Sequence, residues 1–528
     1  MNDYTKFLSR EVSRGRMGRR EFMGRSLAAG LGTAALPLFA TASAAQEARS
    51  GGHLILGIDG GASTDSLDPA AATGSVMFVI IQTWGDTLVE SHPEDGSPIP
   101  NLVTGWTPSQ DATEWTFQIR EGVRFHDGSE FTVDDAVETL RRHTEEASQS
   151  GALGLLRSIT GIENRGGDLV ITLDTGNADL PLILTDYHLI MQPNGGRDNP
   201  EAAIGTGPYI MDQFEAGVRA TFTRNEDDWR DDRGHVNSAE IIVINDNTAR
   251  IAALSSNRVH FISRVVPNTV SLLERSDNVE ILTTPGKGYY SFLMHCDTAP
   301  FDNNDLRLAL KYAIDREELL NQVLSGYGTI GNDFPVNEAY ALFPEGIEQR
   351  RYDPELAADH YRRSGHEGPI TLRTSSVAFS GAVDAAVLFQ ESAAAAGITI
   401  DVVREPEDGY WSNVWNVQPF TASYWGGRPT QDSRYSTNFL SSAEWNDTNF
   451  YRDDFDALLI QARAELDEQR RADIYRQMGM MVRDEGGAII PVFNDFINAS
   501  TTEMMGYVND IGNDFSNGRM ISRVWLNA

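Results

Sequence analysis

A strand–helix–strand pattern over residues 369–405 constrains the fold of this chain most. The strand-like PITLRTSSVAFSG (369–381) is followed by the helix-like AVDAAVLFQESAAAAG (382–397) and then by the strand-like ITIDVVRE (398–405). A connecting helix lets the second strand return beside the first in the same direction, so this unit predicts a parallel strand pair. Strand-like and helix-like segments mix along the rest of the chain, which favours an α/β or α+β fold.

Three further strands are indicated by short apolar or alternating runs. HLILGID (53–59) predicts a buried first strand. EWTFQIR (114–120) alternates apolar and polar residues, which is typical of a half-exposed strand. AIIPVF (488–493) predicts a strand near the end of the chain.

Two helices have clear boundaries in the sequence. FTVDDAVETLRRH (131–143) predicts a helix that Thr132 caps, with Asp135 three residues later and the apolar residues on one face. A long, interrupted helix is predicted over residues 453–485, because a pair of glycines follows it directly.

Length and composition limit the kind of protein that this can be. The 528 residues, 41% of them hydrophobic, suffice for a large core and for more than one domain. The formal net charge of −33 argues against nucleic acid or an anionic membrane surface as a partner. The single cysteine, Cys296, allows no intramolecular disulfide and is interpreted as a buried, inert thiol. A monomer is expected.

Residues 1–44 have the pattern of a secretory leader. A basic start precedes an apolar run over residues 27–40 and small residues up to Ala44, after which cleavage is predicted. The apolar run is shorter than the roughly twenty residues that a membrane-spanning helix needs. Arg19 and Arg20 lie in a stretch similar to the twin-arginine export motif, and an ordinary secretory signal is the alternative. The mature protein is therefore predicted to be soluble, to lie outside the cytoplasm and not to be inserted into the membrane.

The sequence lacks the motifs of several common enzyme classes and therefore gives no direct indication of catalysis. G-x-S-x-G, H-E-x-x-H, C-x-x-C and the P-loop are absent from the sequence. GYGTIG (326–331) matches the dinucleotide pattern, but it follows a helix-like segment where a strand is required, so Gly326 is interpreted as a helix end. The histidines are scattered, and we predict no metal site, no cofactor and no catalytic residue. A secreted hydrolase is the alternative from another class, because triads are defined by geometry and not by spacing.

Residues 101–140 contain a long motif, NLVTGWTPSQDATEWTFQIREGVRFHDGSEFTVDDAVETL. This segment resembles the signature of the family 5 extracellular solute-binding proteins, which are the periplasmic receptors of peptide, opine and nickel ABC importers. The residues that fit the signature are Arg120, Gly122, Val123, Phe125, His126, Asp127, Gly128 and Thr132.

Other motifs follow in the order of that family, so the resemblance covers essentially the whole mature chain. They are SLDPA (66–70), GTGPY (205–209), RNEDDW (224–229), APFDNNDLRLALKYAIDREELL (299–320) and RYDPELAADHYRRSG (351–365). These motifs are interpreted as structural. His126 is expected to pack or to make a turn hydrogen bond, and Gly205 and Gly207 are expected to permit unusual backbone angles.

The resemblance implies an α/β fold with two lobes, the periplasmic-binding-protein clamp of the large cluster C type, with an additional subdomain in the larger lobe. The larger lobe would comprise residues 46–287 and 493–528, and the smaller lobe residues 288–492. A ligand would bind between the lobes, hinge closure would bury it, and a membrane permease would receive it. The expected ligand is a small peptide or a peptide-like anion. A nickel, metal-chelate or opine receptor of the same fold is the alternative.

SYWGGRPTQD (423–432) contains the main candidate for ligand contact. Two glycines and a proline within four residues predict a loop. In the family this loop faces the cleft, and peptide receptors commonly have W-x-x-D there, with the Asp holding the amino group of the peptide. Trp425 matches the aromatic residue, but Arg428 stands at the acidic position. A guanidinium grips a carboxylate or a phosphate, so an anionic ligand is predicted. The alternative pairs Arg428 with Asp432 or another acid.

Five further ligand contacts are predicted from the same resemblance. Tyr424 and Gly426 flank the tryptophan of the loop. Trp411 belongs to GYWSNVW, whose family counterpart runs near the cleft. Met77 and Phe78 belong to VMFVIIQ, which resembles the stretch that lines the pocket from the larger lobe. For these last three residues, packing in the core is the alternative.

Overall fold

The structure is a computed structural model that describes residues 48–145 and 147–527. The predicted leader, residues 1–44, lies outside the described residues. Within them, helices and strands mix along the chain as predicted. No helix in the described ranges is long and apolar enough to cross a membrane.

The strands are, in chain order, β1 His53–Ile58, β2 Val89–Ser91, β3 Pro98–Pro100, β4 Val103–Pro108, β5 Glu114–Ile119, β6 Ile159–Arg165, β7 Asp168–Leu173, β8 Tyr209–Glu215, β9 Arg219–Arg224, β10 Ser238–Val243, β11 Phe261–Ile262, β12 Val279–Thr284, β13 Tyr289–Met294, β14 Gly328–Ile330, β15 Ile370–Thr374, β16 Ile400–Arg404, β17 Phe420–Trp425, β18 Ala488–Asn494, β19 Phe496–Thr501, β20 Met504–Met505 and β21 Trp525–Leu526. The helices are α1 Gly74–Trp84, α2 Val133–Thr144, α3 Leu180–Ile183, α4 Asn247–Ser255, α5 Val270–Leu273, α6 Asn304–Ala313, α7 Arg316–Leu324, α8 Pro354–Ser364, α9 Ala382–Ala394, α10 Tyr410–Asn413, α11 Gln431–Asn438, α12 Asp453–Ala464, α13 Glu468–Glu485, α14 Asp514–Asn517 and α15 Met520–Arg523.

Two large mixed sheets organise the described chain. A seven-stranded sheet has the order β12-β19-β11-β1-β10-β9-β8 and draws on residues 53–284 and 496–501. A six-stranded sheet has the order β14-β18-β13-β17-β15-β16 and lies within residues 289–494. A four-stranded antiparallel sheet, β4-β5-β7-β6, has a hydrophobic core of its own. We call the part with the seven- and four-stranded sheets the larger lobe and the part with the six-stranded sheet the smaller lobe. The predicted boundaries between them stay predictions.

The strand–helix–strand unit of the smaller lobe is confirmed. β15 and β16 pair in parallel with Ile370 opposite Ile400, and α9 connects them. The six-stranded sheet is covered on both faces, because neighbouring residues of a strand point to opposite sides. On β13, Phe292 packs into the cluster on one face, and Leu293 packs into the aromatic cluster on the other face.

The other predicted elements are also present. β1, β5 and β18 form where the apolar patterns placed them. Thr132 precedes α2, and the Asp135 carboxylate accepts hydrogen bonds from the Thr132 N–H at 2.9 Å and from its hydroxyl at 2.7 Å. The predicted long helix is interrupted at residues 465–467 between α12 and α13. Gly326 follows α7 with a φ of 82° and precedes the strand β14, so the dinucleotide pattern is a helix end.

The chain passes between the lobes twice, over residues 285–288 and again at Asp495. The Asn494 N–H donates to the carbonyl of Gly288 at 3.1 Å. A Cβ atom at Gly286 would lie 2.2 Å from the Asn494 carbonyl oxygen. The two crossings therefore run side by side and form one narrow connection between the lobes.

The GTGPY glycines serve close packing and not unusual backbone angles, so that expectation is corrected. Neither Gly205 nor Gly207 has a φ in the left-handed range. A Cβ atom at Gly205 would lie 2.4 Å from the carbonyl oxygen of Trp84, which itself accepts a hydrogen bond from the Gly207 N–H at 3.0 Å. His126 Nε2 lies 2.9 Å from the Gly207 carbonyl oxygen, 81 residues further along the chain, so this histidine binds a distant segment and does not make the expected hydrogen bond within its own turn. The distance between two backbones requires glycine here.

We expect Gly205→Ala to lower the free energy of unfolding by about 1–3 kcal/mol, because the added methyl group meets backbone atoms that cannot move independently. Gly154→Ala is the matched control, since no atom lies within 4 Å of its Cβ position and its φ is not left-handed. Urea denaturation of both variants measures the difference. Equal midpoints for the two variants would contradict the close-packing argument.

Candidate functional site

A cavity of about 270 Å³ lies between the two lobes beside the crossings. Its walls come from α1, from the segment after α3, from the first crossing, from the loop between β17 and α11, and from the chain after β19. Its lining residues are Phe78, Gln82, Ser91, Gly96, Leu182, Thr185, Asp186, Tyr187, Pro285, Lys287, Gly427, Arg428, Pro429, Phe496, Ile511, Gly512, Asn513 and Asn517. A cavity of about 180 Å³ adjoins it, and Leu182 lines both. A movement of one lobe against the other would open or close both spaces.

The SYWGGRPTQD segment forms the end of β17, a loop over residues 426–429 and the start of α11. Gly426 and Gly427 follow the end of the strand, and neither has a φ in the left-handed range. The hydroxyl of Thr430 accepts a hydrogen bond from the Ser433 N–H at 3.1 Å and so caps the helix. The loop is therefore held between a central strand and a capped helix.

One buried arginine ties this loop to the first crossing. Arg434 on α11 is fully buried, and its Nη2 donates to the carbonyl of Gly426 at 2.6 Å and to the carbonyl of Lys287 at 3.3 Å. The same nitrogen donates to the Tyr340 hydroxyl at 3.2 Å. That hydroxyl also accepts from the Arg428 N–H at 3.1 Å. Arg434 and the Tyr340 hydroxyl thus hold the backbone of the loop and that of the first crossing together.

Arg428 lines the cavity without a carboxylate partner. Its guanidinium lies over the ring of Trp425, with 5.5 Å between its Cζ and the ring centroid, and its Nη1 donates only to the Gly427 carbonyl, at 3.4 Å. No ion pair joins it to an acid of the described residues. Asp432, the predicted alternative partner, pairs instead with Arg463 at 3.0 Å. Burial, together with the charge of Arg434, lowers the pKa of Arg428.

Lys287 is a second cation beside the same loop. A Cβ atom at Gly427 would lie 2.8 Å from the Cβ of Lys287, which shows how closely the crossing and the loop approach each other. The ammonium lies 5.1 Å from the ring centroid of Tyr340. In the described part of the chain it has neither a hydrogen-bond acceptor nor an ion-pair partner. Burial lowers its pKa to about 8, so the group is still mostly protonated at pH 7.

Trp425 is buried, and its position is fixed by a carboxylate. It is 7% exposed, and its indole N–H donates to Asp447 Oδ2 at 2.9 Å. The indole of Trp415 donates to the same oxygen at 3.0 Å. Burial raises the pKa of Asp447 to about 7 despite these two hydrogen bonds. Trp425 therefore supports Arg428 from behind and does not line the cavity itself.

The structure brings two of the seven predicted contacts, Phe78 and Arg428, to the cavity. Gly426 contributes its carbonyl to the buried arginine of α11 and does not line the cavity. Tyr424 and Trp411 are exposed and touch each other edge to face, with 5.8 Å between their ring centroids, outside the cavity lining.

Met77 is fully buried in the core of the larger lobe, while the Phe78 ring packs edge to face on Tyr187 at 5.1 Å between centroids. The position of Met77 fits the alternative stated for it, packing in the core. The role of each predicted residue in ligand contact stays a prediction.

Sequence reasoning missed Lys287, Asp186 and Gln82, which all line the cavity. Lys287 could have been found, because it is the last residue before the predicted crossing into the smaller lobe. For Asp186 and Gln82 the sequence holds no signal, since each belongs to a segment that reads as ordinary loop or core helix. No group of three or more potential metal ligands occurs among the residues that the structure describes.

Comparison with known proteins identifies relatives of this arrangement. A family model described as bacterial extracellular solute-binding proteins, family 5 Middle, matches residues 97–447, which is more than half of the chain. The matched region contains Lys287 and the whole loop at 426–429.

Two curated proteins are similar along most of the chain. The glutathione-binding protein GsiB of Shigella flexneri serotype 5b is 24% identical over 467 residues, which cover 85% of this chain and 90% of that protein. The dipeptide-binding protein of Escherichia coli strain K12 is 22% identical over 463 residues, which cover 80% and 86%.

One solved structure resembles the fold from end to end. It is the periplasmic binding protein DppA of Helicobacter pylori in complex with the peptide STSA, with a TM-score of 0.71 at 20% sequence identity. The superposition covers 92% of this chain and 100% of that protein. The predicted fold class, an α/β clamp of two lobes, is thereby confirmed.

The buried carboxyl group behind Trp425 generates a prediction for stability. In the unfolded chain Asp447 ionises near its ordinary pKa of 3.8, whereas the folded protein keeps its proton up to about pH 7. Its contribution to stability is therefore complete below about pH 4 and is lost as the pH rises through 7. Asp447→Asn keeps an oxygen for both indoles and carries no charge. We expect this variant to melt at the same temperature as the parent at pH 4 and a few degrees higher at pH 8.

Thermal melts of the parent, of Asp447→Asn and of the exposed control Asp408→Asn between pH 4 and 8 measure this difference. Parallel curves for all three proteins would show that Asp447 titrates normally.

Proposed function

The chain belongs to the bacterial extracellular solute-binding proteins of family 5, and we propose that it captures a small peptide or a peptide-like anion for an ABC importer. The members named above are binding proteins and not enzymes. The solute binds in the cavity beside the crossings, with an acidic group against Lys287 and Arg428. The closed protein then delivers it to the membrane permease. The leader exports the protein to the periplasm.

The cation pair without a carboxylate partner carries this proposal. Half-buried cations in a cavity wall lose hydration, and this loss is compensated only when an anion meets them. A hydrogen bond that involves a charged group contributes about 1.5–3 kcal/mol. The planar guanidinium of Arg428 can form two parallel bonds with one carboxylate, while Lys287 adds a point charge beside it. Together they favour a solute with a carboxylate or phosphate group.

The relatives support a ligand of peptide chemistry. The ligands that their names give, a dipeptide, glutathione and the peptide STSA, all carry carboxylates. The family resemblance places an aspartate at the position of Arg428 in common peptide receptors. An arginine cannot hold an ammonium there, so the acidic end of the solute is the end that faces this loop.

The narrow connection between the lobes supports capture by closure. Both crossings run side by side next to the cavity, so a small change of backbone angles there moves one lobe over the other. The lobes also meet at the adjoining cavity. There Arg471 pairs with Asp179 at 3.1 Å, and the Ala178 N–H donates to the Arg463 carbonyl at 2.7 Å. These contacts guide the approach of the lobes without closing the larger space.

We expect a small acidic solute to co-purify with the parent protein and to be lost from Arg428→Ala, because the variant lacks the bidentate donor. Native mass spectrometry of both purified proteins measures the bound mass. Arg404→Ala is the matched control, since Arg404 is exposed at the end of β16 and lies outside the cavity. A bound mass that is the same in all three proteins, or a solute without an acidic group, would refute the role of Arg428.

The lowered pKa of Lys287 predicts pH-dependent binding. Above about pH 8 the free protein loses the ammonium proton, and binding an anion must restore it. The affinity for the co-purified solute should therefore fall by up to about tenfold per pH unit above pH 8. Lys287→Met should bind more weakly at pH 7 and should show a shallower decline than the parent protein. Calorimetric titration from pH 6.5 to 9.5 tests both statements, and parallel pH profiles for the two proteins would contradict them.

A further inference from the structure

The larger lobe contributes polar residues to the lining of the cavity. Asp186 is one of them and lies in the segment after α3. Its Oδ1 lies 2.6 Å from His188 Nδ1 and also accepts from the His188 N–H at 3.0 Å. The other ring nitrogen of His188 lies 3.1 Å from the Ala72 carbonyl oxygen, which fixes the imidazole and with it the carboxylate. Asp186 Oδ2 has no hydrogen bond or ion pair within the described ranges.

Gln82 on α1 also lines this cavity. The side chain is 3% exposed, and its Nε2 donates to the Asn517 carbonyl at 3.0 Å. This bond decides the orientation of the amide, because the opposite one would set two oxygens against each other. Gln82 Oε1 is then buried without a hydrogen-bond partner among the described residues. A buried acceptor without a donor costs free energy until a donor reaches it.

The packing of the larger lobe brings these two residues to the same cavity. Gln82 lies one helical turn after Phe78, and the Phe78 ring packs on Tyr187, the neighbour of Asp186. Burial and the neighbouring carboxylate of Asp186 raise the pKa of Tyr187 to about 12. The larger lobe therefore contributes electronegative groups to the cavity that Arg428 of the smaller lobe and Lys287 of the first crossing also line.

We propose that the cavity selects a zwitterion, an amino-carboxylate solute whose ammonium group is held by Asp186 and Gln82 and whose carboxylate is held by Arg428 and Lys287. This inference rests on the proposed function and adds the second charge of the ligand. The ammonium donates to Asp186 Oδ2 and to Gln82 Oε1, and each lobe holds one end of the solute. Closure is then coupled to a solute that has both charges, since neither end alone bridges the lobes.

This arrangement reverses the polarity that the family resemblance implies for common peptide receptors. In those proteins the loop of the smaller lobe holds the amino group through an aspartate. Here the arginine at that position holds the acid, and the amino group moves to the larger lobe. An N-acylated solute is rejected, because it leaves the Asp186 carboxylate without a cation.

The test uses chemically modified pools of one casein hydrolysate, a mixture of amino acids and short peptides. One portion is untreated, one is N-acetylated with acetic anhydride, and one is converted to methyl esters. The full-length mature protein, freed of solute by unfolding and refolding, is titrated with each pool, and native mass spectrometry records the bound mass. We expect binding from the untreated pool and at least about tenfold weaker binding from each modified pool.

The outcomes separate this inference from the proposed function. Equal binding of the acetylated and untreated pools would overturn the ammonium site and leave the anion site intact. Equal binding of the esterified and untreated pools would overturn the proposed function itself. No bound mass from the untreated pool would overturn both, since the solute would then not be an amino-carboxylate compound of this kind.

Variants of the larger lobe test whether its residues hold the ammonium group of the solute. Asp186→Asn keeps the oxygen that accepts from His188 and removes the charge, so it should bind the untreated pool at least about tenfold more weakly while still discriminating against the esterified pool. Gln82→Leu should act in the same direction. Asp174→Asn, an exposed acid outside the cavity, should bind as the parent does. Melting temperatures identify any variant that fails to fold, and unchanged binding by folded Asp186→Asn would refute the inference.

Discussion

The buried guanidinium of Arg434 holds together the two segments that form the cationic side of the cleft. It donates to a carbonyl of the first crossing, at Lys287, and to a carbonyl of the loop, at Gly426. It also orients the Tyr340 hydroxyl, which fixes the backbone of Arg428. These bonds hold the carbonyl oxygens of Gly426 and Lys287 in place, and the side chains of Lys287 and Arg428 both line the cavity. The loop is thus tied to the first crossing.

Local charge, and not net charge, decides what this cleft can bind. The protein carries a formal charge of −33, but charges beyond about 8 Å are largely screened at physiological ionic strength. Elsewhere in the larger lobe arginines surround the buried acid Glu90. Burial by itself would raise the pKa of Glu90, but Arg519 at 3.1 Å and Arg233 at 2.8 Å outweigh it and hold the pKa well below its ordinary value. At the cleft such matching is left to the solute.

The larger lobe contributes the carboxylate of Asp186 to the cavity, and the loop and the first crossing contribute the cations Arg428 and Lys287. The narrow connection between the lobes allows the distance between these charges to change. A rigid single-domain pocket would hold both charges at a fixed distance. Here the distance depends on the angle between the lobes, so a solute of the right length stabilises the closed form by bridging them. The ion pair between Asp179 and Arg471 lies at the adjoining cavity and limits the paths by which the lobes approach.

The sequence by itself determined the fold class, the parallel unit around α9, the cap of α2, the interruption before α13 and the loop after Trp425, because each is set by local patterns of apolar, capping and turn residues. It also placed an arginine where the family resemblance implies an acid for peptide receptors. The tertiary structure alone decided which side chains meet. Neighbouring residues on a strand face opposite ways, so Tyr424 is exposed while Trp425 is buried on Asp447.

The cavity itself was decided entirely by tertiary packing. Gln82, Asp186, Lys287 and Arg428 are far apart in the chain and come from four different elements. Their meeting depends on how α1 and the segment after α3 pack in the larger lobe, and on how the crossing lies beside the loop of the smaller lobe. No short-range pattern encodes such distances, because local sequence fixes the direction of a segment and only packing fixes its neighbours.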